Sequence, residues 1–337
     1  MKGKKLFLYS LTSLAAIASS AVSAEEFASA PSLEGGWSGM IGGVWFVPSN
    51  DNTTYAQSTS FSSGSNEDTQ YFNTDGEYKL GWQAAIGYVF DNTANGIELS
   101  FRDYSSSSDS STDVFDPAFF QPHEFDSQNA SSNQGTNFQD WDLMVSQFLD
   151  IGTHVQMRFL GGISYLAKLE QNTTSYYSFT DLDDNILLTE NYTNESNSHY
   201  SGLGPRIGAD ARYDFGDGFG IVGGFSVAYF LGELENDAND SHTEIRSNVP
   251  NEHLVFDDTF NNDIDNHAVT NLRGNLGVDY VYYFENQDLP TLGLELGYEV
   301  DTYLSGIGNY NGAESTGVIT TSDVTFSGPY LNLKGVF

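Results

Sequence analysis

The chain contains no cysteine, so neither a disulfide nor a thiolate metal site can brace it. It is also poor in base, with 12 Lys and Arg against 46 Asp and Glu and a formal charge of -34. So acidic a surface repels phosphate, which excludes nucleic acid as a partner. Long apolar runs are missing too. The one near the start, Leu6 to about Ile17, is too short to cross a bilayer as a helix, which takes ~20 residues. No later stretch approaches that length, so helical membrane spans are excluded. Acidity of this order can accompany disorder, but 14% aromatic residues and 34 glycines argue for ordered β structure.

The first thing present is an export signal. Lys2, Lys4 and Lys5 precede the apolar run, and small residues then lead to Val22-x-Ala24 before Glu25. This is the charged, apolar and cleavable order of a secretory signal peptide. Residues 1–24 are expected to be removed by Sec-type processing near Ala24. No Pro- or Gly-rich linker divides the remainder, so 25–337 is read as a single domain.

That remainder alternates patterned segments with polar stretches. Tyr78, Leu80, Trp82, Ala84, Ile86, Tyr88 and Phe90 share one face, while Lys79, Gly81, Gln83, Ala85 and Gly87 share the other. Period two over such a length marks a two-faced strand. At ~3.3 Å per residue and ~40° of tilt it rises roughly 30 Å, enough for an apolar membrane band. Nine further strands are expected near 36–48, 96–105, 138–149, 154–170, 200–215, 219–232, 269–284, 291–303 and 325–337. Long connections fill 49–77, 106–137, 171–199, 233–268 and 304–324, and tight turns fall at 91–95, 150–153, 216–218 and 285–290. The fold class expected is all-β: a ten-stranded antiparallel transmembrane β-barrel in the bacterial outer membrane, with short periplasmic turns and long extracellular loops.

Basic residues tell this apart from a soluble sandwich, whose lysines would scatter over loops and strand edges. Outside the leader, only Arg246 falls in a long connection. Lys79, Arg102, Arg158, Lys168, Arg206, Arg212, Arg273 and Lys334 all lie on the polar face of their strands. A polar lumen explains this, since a lipid-facing Arg or Lys costs ~2–4 kcal/mol at the midplane. At the end, Leu331, Leu333, Gly335 and Phe337 alternate up to a terminal aromatic. Leu331, Leu333 and Phe337 are therefore read as a signal to the barrel-assembly machinery.

Several segments also resemble a known family. The stretch from Gly202 through Gly204-Pro205-Arg206-Ile207-Gly208 to Gly224 looks like the central hairpin of Legionella-type major outer-membrane proteins. Trp141-Asp142-Leu143 and Met157–Tyr165 resemble the hairpin before it, and Arg273–Tyr280 and Leu294–Tyr298 are similar to later strands. The resemblance spans about 36–337 and leaves the long connections unmatched. It implies a pore-forming outer-membrane protein whose surface loops contact other cells. The best-known members carry cysteines and form disulfide-linked complexes. Without cysteine, any homo-oligomer of this chain is non-covalent.

The leading functional expectation is a porin-like pore for ions and small hydrophilic solutes. Its lining would combine the strand bases with Glu98, Asp142, Asp210, Asp279, Glu295 and Glu299, which share their parity. Charges in such a setting need partners, so the same residues can equally brace the wall as an ion-pair network. Because the long connections are so acidic, a pore would prefer cations. The alternative is a surface adhesin or structural barrel with a closed lumen, whose loops bind a cell-surface partner. A third expectation, ranked last, comes from omptin proteases, ten-stranded barrels with an Asp pair and an Asp-His pair at the rim. Asp140/Asp142 and Asp265/His267 resemble those pairs, yet the same spacing recurs by chance in Asp240-Ser-His242. No enzyme is therefore expected. Acid clusters such as Asp181-x-Asp183-Asp184, Asp257-Asp258 and Asp263-x-Asp265 suit hard cations but lack EF-hand spacing. Neither cofactor nor metal is expected, and the remaining partners are outer-membrane lipid and lipopolysaccharide.

Overall fold

A computed structural model describes residues 35–50, 54–61, 67–74, 76–91, 93–113, 117–118, 129–183, 186–246, 253–284, 291–310 and 319–336. The strands are β1 (Gly36–Asn50), β2 (Thr54–Phe61), β3 (Glu67–Asn73), β4 (Lys79–Val89), β5 (Asn95–Asp113) and β6 (Pro117–Ala118). They continue as β7 (Asn129–Ile151), β8 (Val155–Asp183), β9 (Ile186–Gly216), β10 (Phe219–Arg246), β11 (His253–Tyr282), β12 (Thr291–Tyr310) and β13 (Ile319–Val336). Ten of them close into an antiparallel ring in the order β1-β13-β12-β11-β10-β9-β8-β7-β5-β4. The short strands β3, β2 and β6 form a separate small sheet. Closure satisfies every ladder within the band, the condition for strands to stand in lipid.

Parity divides the wall as the alternation requires. Ile41, Leu99, Leu143, Ile163, Ile207, Leu276 and Leu294 point outward and are exposed. Aromatic belts border them. Trp37, Phe90, Tyr213, Phe215 and Phe219 lie toward the tight turns, with Tyr88 between Trp37 and Phe90, and Trp45, Trp82, Trp141, Tyr165 and Tyr229 lie at the far side. Trp82, Phe101 and Trp141 touch in a row, with ring centroids 4.7 and 4.3 Å apart. From Trp141 to Ile151 the wall rises roughly 25 Å, the height of an outer-membrane apolar band. The turns at the lower end are tight because Gly152, Gly216, Asp217 and Gly218 adopt positive φ.

Two expectations are corrected. The long connections are not mainly loop. Ladders run on without a break through pairs such as Thr173↔Ser196 and Ala238↔Phe260, and β5 and β7 stay paired as far as Asp113↔Asn129. Ser, Thr and Asn occupy both faces there, so the hydrophobic alternation fades while the backbone ladder persists. The second correction is Lys168. A register shift between Leu166 and Leu169 brings both leucines into the interior, which turns Lys168 and Glu170 to the outer face as an ion pair.

Above the band the β12–β13 hairpin leans across the mouth. Ser305 adopts positive φ, and the register between β12 and β13 shifts between Tyr303 and Ile307. Ile307 then enters the core, and the Gly308 N–H donates to Ser198 Oγ at 2.8 Å. A Cβ at Gly308 would lie 1.9 Å from Asn236 Oδ1, so any larger residue there would have to displace the Asn236 amide.

Close approach of strands matters equally at Gly204, where a Cβ would lie 1.8 Å from the Tyr229 carbonyl oxygen, whereas one at Gly161 would meet nothing within 4 Å. Gly204→Val should therefore abolish the folded, heat-modifiable band on a gel, while Gly161→Val should keep it. Equal tolerance of both would show that this seam does not constrain the wall.

Candidate functional site

The inward faces build the lumen in layers. Nearest the turns, Arg212 donates to Asp279 at 2.7 Å, to Asp214 at 3.0 Å and to the Gly218 carbonyl at 3.2 Å. Asp214 also accepts the Gly216 N–H, so one carboxylate ties the turn to the wall. Next, Arg158 bridges Glu98 at 2.7 Å and Asp210 at 2.8 Å. Lys334 pairs with Glu295, and Gln83 donates to Asn332 at 2.8 Å.

Above these lies a cage drawn from six strands. Arg102 donates to Asp301 at 2.6 Å and to Glu299. Arg206 donates to Asp142 at 3.0 Å, to Ser164 at 2.6 Å and to Asn271 at 2.9 Å. Arg273 donates to Asp142 and Asp301, each at 3.3 Å, and to Asp140. Three guanidiniums thus share four carboxylates at the level of the upper aromatic belt. Several of the bonds cross the lumen, since β5 and β12, like β7 and β11, stand well apart in the ring. Charge-assisted bonds of this kind are the strong class, and each guanidinium spreads its N–H groups over more than one carboxylate.

A dry layer caps the cage. Phe46, Tyr104, Phe138, Leu166, Leu169, Tyr200, Phe230, Leu234, Tyr303 and Phe326 all point inward, and none exposes more than 1% of its surface. Phe138 meets Phe326 edge-on at 4.7 Å and stacks on Tyr104 at 5.7 Å. Tyr104 donates its hydroxyl to the Phe46 carbonyl at 2.8 Å. Strand β4 contributes Gly81, where a Cβ would lie 3.0 Å from the Tyr104 ring and 2.7 Å from the Asp103 carbonyl. The Arg102 guanidinium carbon sits 5.2 Å from the Phe138 ring centroid, so the two layers are in contact.

The residues singled out in the sequence divide accordingly. Arg102, Asp142, Arg206, Arg273 and Glu299 meet in the cage. Glu98, Arg158, Asp210, Arg212, Asp279, Glu295 and Lys334 fill the layers beneath it. Lys79 pairs with Glu77 at 2.7 Å on an exposed part of the wall and joins neither. Leu331 and Leu333 face outward, while Phe337 and Asp184 lie outside the described residues. Asp214, Asp301 and the whole aromatic layer were missed, and Asp140 was not read as part of the lining. A signal for them existed, because Arg102-x-Tyr104, Phe138-x-Asp140 and Asp301-x-Tyr303 each put a charge and an aromatic on one face. Asp140 and Asp142, weighed as a rim pair, are instead buried within the cage beneath the aromatic layer. Asp265 is exposed outside, and His267 contacts the Ser305 carbonyl at 2.8 Å.

The family described as Legionella pneumophila major outer membrane protein precursor matches residues 29–337. The chain belongs to that family. It is accordingly an outer-membrane protein made as a precursor. No curated protein matches it. Among solved structures it is similar to the outer membrane protease OmpT of Escherichia coli, at 11% identity and a TM-score of 0.43, over 91% of this chain and 99% of that one. The Pseudomonas putida toluene transporter TodX matches at 8% identity and 0.27, over 90% of each chain. A Pseudomonas aeruginosa FadL homologue matches at 9% and 0.26, again over 90% of each.

Removing one partner from a buried ion network leaves the others uncompensated, at a cost of about 3–5 kcal/mol. Arg273→Ala in this family member should lower unfolding stability in lipid vesicles by that order. Lys79→Ala should stay within about 0.5 kcal/mol. Similar losses for both would show that the cage does not brace the barrel.

Above the band, burial opposes ionisation of Glu170, but hydrogen bonds from Lys168, Asn172 and Asn137 outweigh it and hold the carboxyl below the usual glutamate range. Its stabilisation is complete above the ordinary value of ~4.3 and disappears as pH falls through the lowered one. Glu170→Gln should flatten that part of the acid-unfolding curve. An unchanged curve would leave the pair without a role in stability.

Proposed function

We propose that this member of the family is a closed-lumen barrel that holds its extended strands at the cell surface as its working face. On this reading the leader is cleaved near Ala24, residues 25–337 form one domain, and both termini lie in the periplasm. Leu331, Leu333 and Phe337 would then be read during assembly. The observation that carries the proposal is the aromatic layer: a water-filled path would leave its lining accessible, and no side chain of that layer exceeds 1% exposure. The cage beneath it acts as the brace that lets charged strands stand in lipid. No catalysis is proposed, because Asp140 and Asp142 are committed to guanidiniums under a dry layer and have no route to a substrate.

One observation favours the cation-preferring pore as a second reading. Residues 233–268 hold ten acids against Arg246, so the mouth would concentrate cations. Conduction would then require the aromatic layer to part, as hydrophobic constrictions do when they wet. Planar-bilayer recording separates the two readings. The unaltered protein should give no steady conductance, and Phe138→Ala combined with Phe326→Ala should produce it. Regular steps from the unaltered protein would overturn the closed-lumen reading. A cation preference at low salt, reduced by Asp257→Asn and Asp258→Asn, would support the pore in its place.

A further inference from the structure

Above the membrane, the described part of the wall has an open seam. β11 pairs with β12 only from Thr270 to Tyr282, although it extends back to His253. Over that outer part its described ladder is with β10, on the opposite side. The seam opens because β12 turns inward at Ser305 and seats Ile307 and Gly308 against the core and Ser198 instead of following β11. Among the described residues, no strand pairs with the free side of Leu254–Thr259, and all six of these residues are exposed.

Proteins usually guard such an edge with lysine, proline or a bulge, because it is a template for another strand. Here Leu254, Val255 and Phe256 are exposed by 40–55%, with only Asp257 and Asp258 beside them. Both faces of the edge carry the same mixture. Leu254, Phe256 and Asp258 share one face, and Val255 and Asp257 share the other. Asp258 also stands directly opposite Asp240 of β10, whose carboxylate accepts from Asn194.

We propose that the free edge of β11 at Leu254–Thr259 is a docking strand for an extended cationic polypeptide segment, added by β-augmentation. The guest's backbone completes the ladder, and its apolar side chains cover Phe256 on one face and Val255 on the other. Its lysines or arginines meet Asp258 on one face and Asp257 on the other. Charge complementarity selects this occupant. A second copy of the chain would bring acid against acid, and an anionic lipid surface would be repelled. The inference rests on the proposed surface location of the extended strands, but not on a closed lumen, so a bilayer recording can go either way without touching it.

The test uses the folded full-length protein in detergent micelles and a fluorescent ten-residue peptide repeating Lys-Lys-Val-Val, which puts both residue types on each face, followed by anisotropy. Saturable binding is expected. Asp257→Lys with Asp258→Lys should weaken it at least tenfold, and the isosteric Asp257→Asn with Asp258→Asn should weaken it less, both with heat-modifiable mobility intact. A fully N-methylated version of the peptide, which keeps the charge but cannot form a ladder, should not bind. A Glu/Val peptide should not bind either. The proposal is overturned if the unaltered protein ignores the Lys/Val peptide or if the N-methylated peptide binds equally well. It also fails if the charge variants bind as tightly as the unaltered protein, or if the edge pairs two copies of the chain.

Discussion

A charge held at the depth of a lipid bilayer must be neutralised by the protein itself, and the rest of this barrel depends on how that is done. On the outer face an arginine or lysine would cost ~2–4 kcal/mol at the midplane, so the strands turn these residues inward. Inside, isolation would be no cheaper, because a half-dry charge without a partner loses its hydration and gains nothing. Arg102, Arg206 and Arg273 therefore each reach at least two acceptors, and Asp140, Asp142, Glu299 and Asp301 are each held by at least one of them. Because the donors and acceptors come from strands that are not neighbours, the network works as a set of cross-braces. It resists flattening of a ring whose hydrogen bonds otherwise join only adjacent strands.

The aromatic layer and the cage reinforce one another. A dry cap lowers the dielectric above the guanidiniums, which strengthens every bond they make and raises the cost of leaving any unmade. In return the cage supplies a flat cationic floor, with Arg102 beneath Phe46 and Phe138 and Arg206 beneath Phe230. A ring of ten strands is only a little wider than the eight-stranded barrels whose interiors side chains fill. Ten large apolar groups at one level are enough to occupy it, with Gly81 of β4 leaving room for Tyr104.

Above the membrane the constraint relaxes, and so does the architecture. Water can satisfy backbone groups there, so the ring need not stay closed. β12 leaves β11, crosses the mouth and packs onto β8, β9 and β10, adding Ile307 to the interior. The gain in burial over the lumen is accompanied, among the described residues, by an uncovered edge on β11. A closed cap and an open strand edge are thus two consequences of the same bend at Ser305.

Period-two alternation and the inward parity of bases by themselves determined much of this protein: an all-β barrel, the number of strands in its ring, the apolar outer face, and most of the charged lining. These follow from local chemistry, since each strand must show lipid one face and a polar lumen the other. The family was also legible, in the Gly202–Gly224 hairpin. What the sequence left open depended on partners far along the chain. Polar ladders such as Thr173↔Ser196 read as loop, because nothing in Ser, Thr and Asn announces a strand until its neighbour is in place. Lys168 changed sides through a bulge that one strand's pattern does not reveal. Phe138 and Tyr303 drew no notice one strand at a time, and only closure of the ring brought them together as one dry layer. Which carboxylate each arginine reaches, whether the lumen is filled, and where the wall opens above the membrane were decided by tertiary structure. Each is a relation between strands that meet only across the barrel.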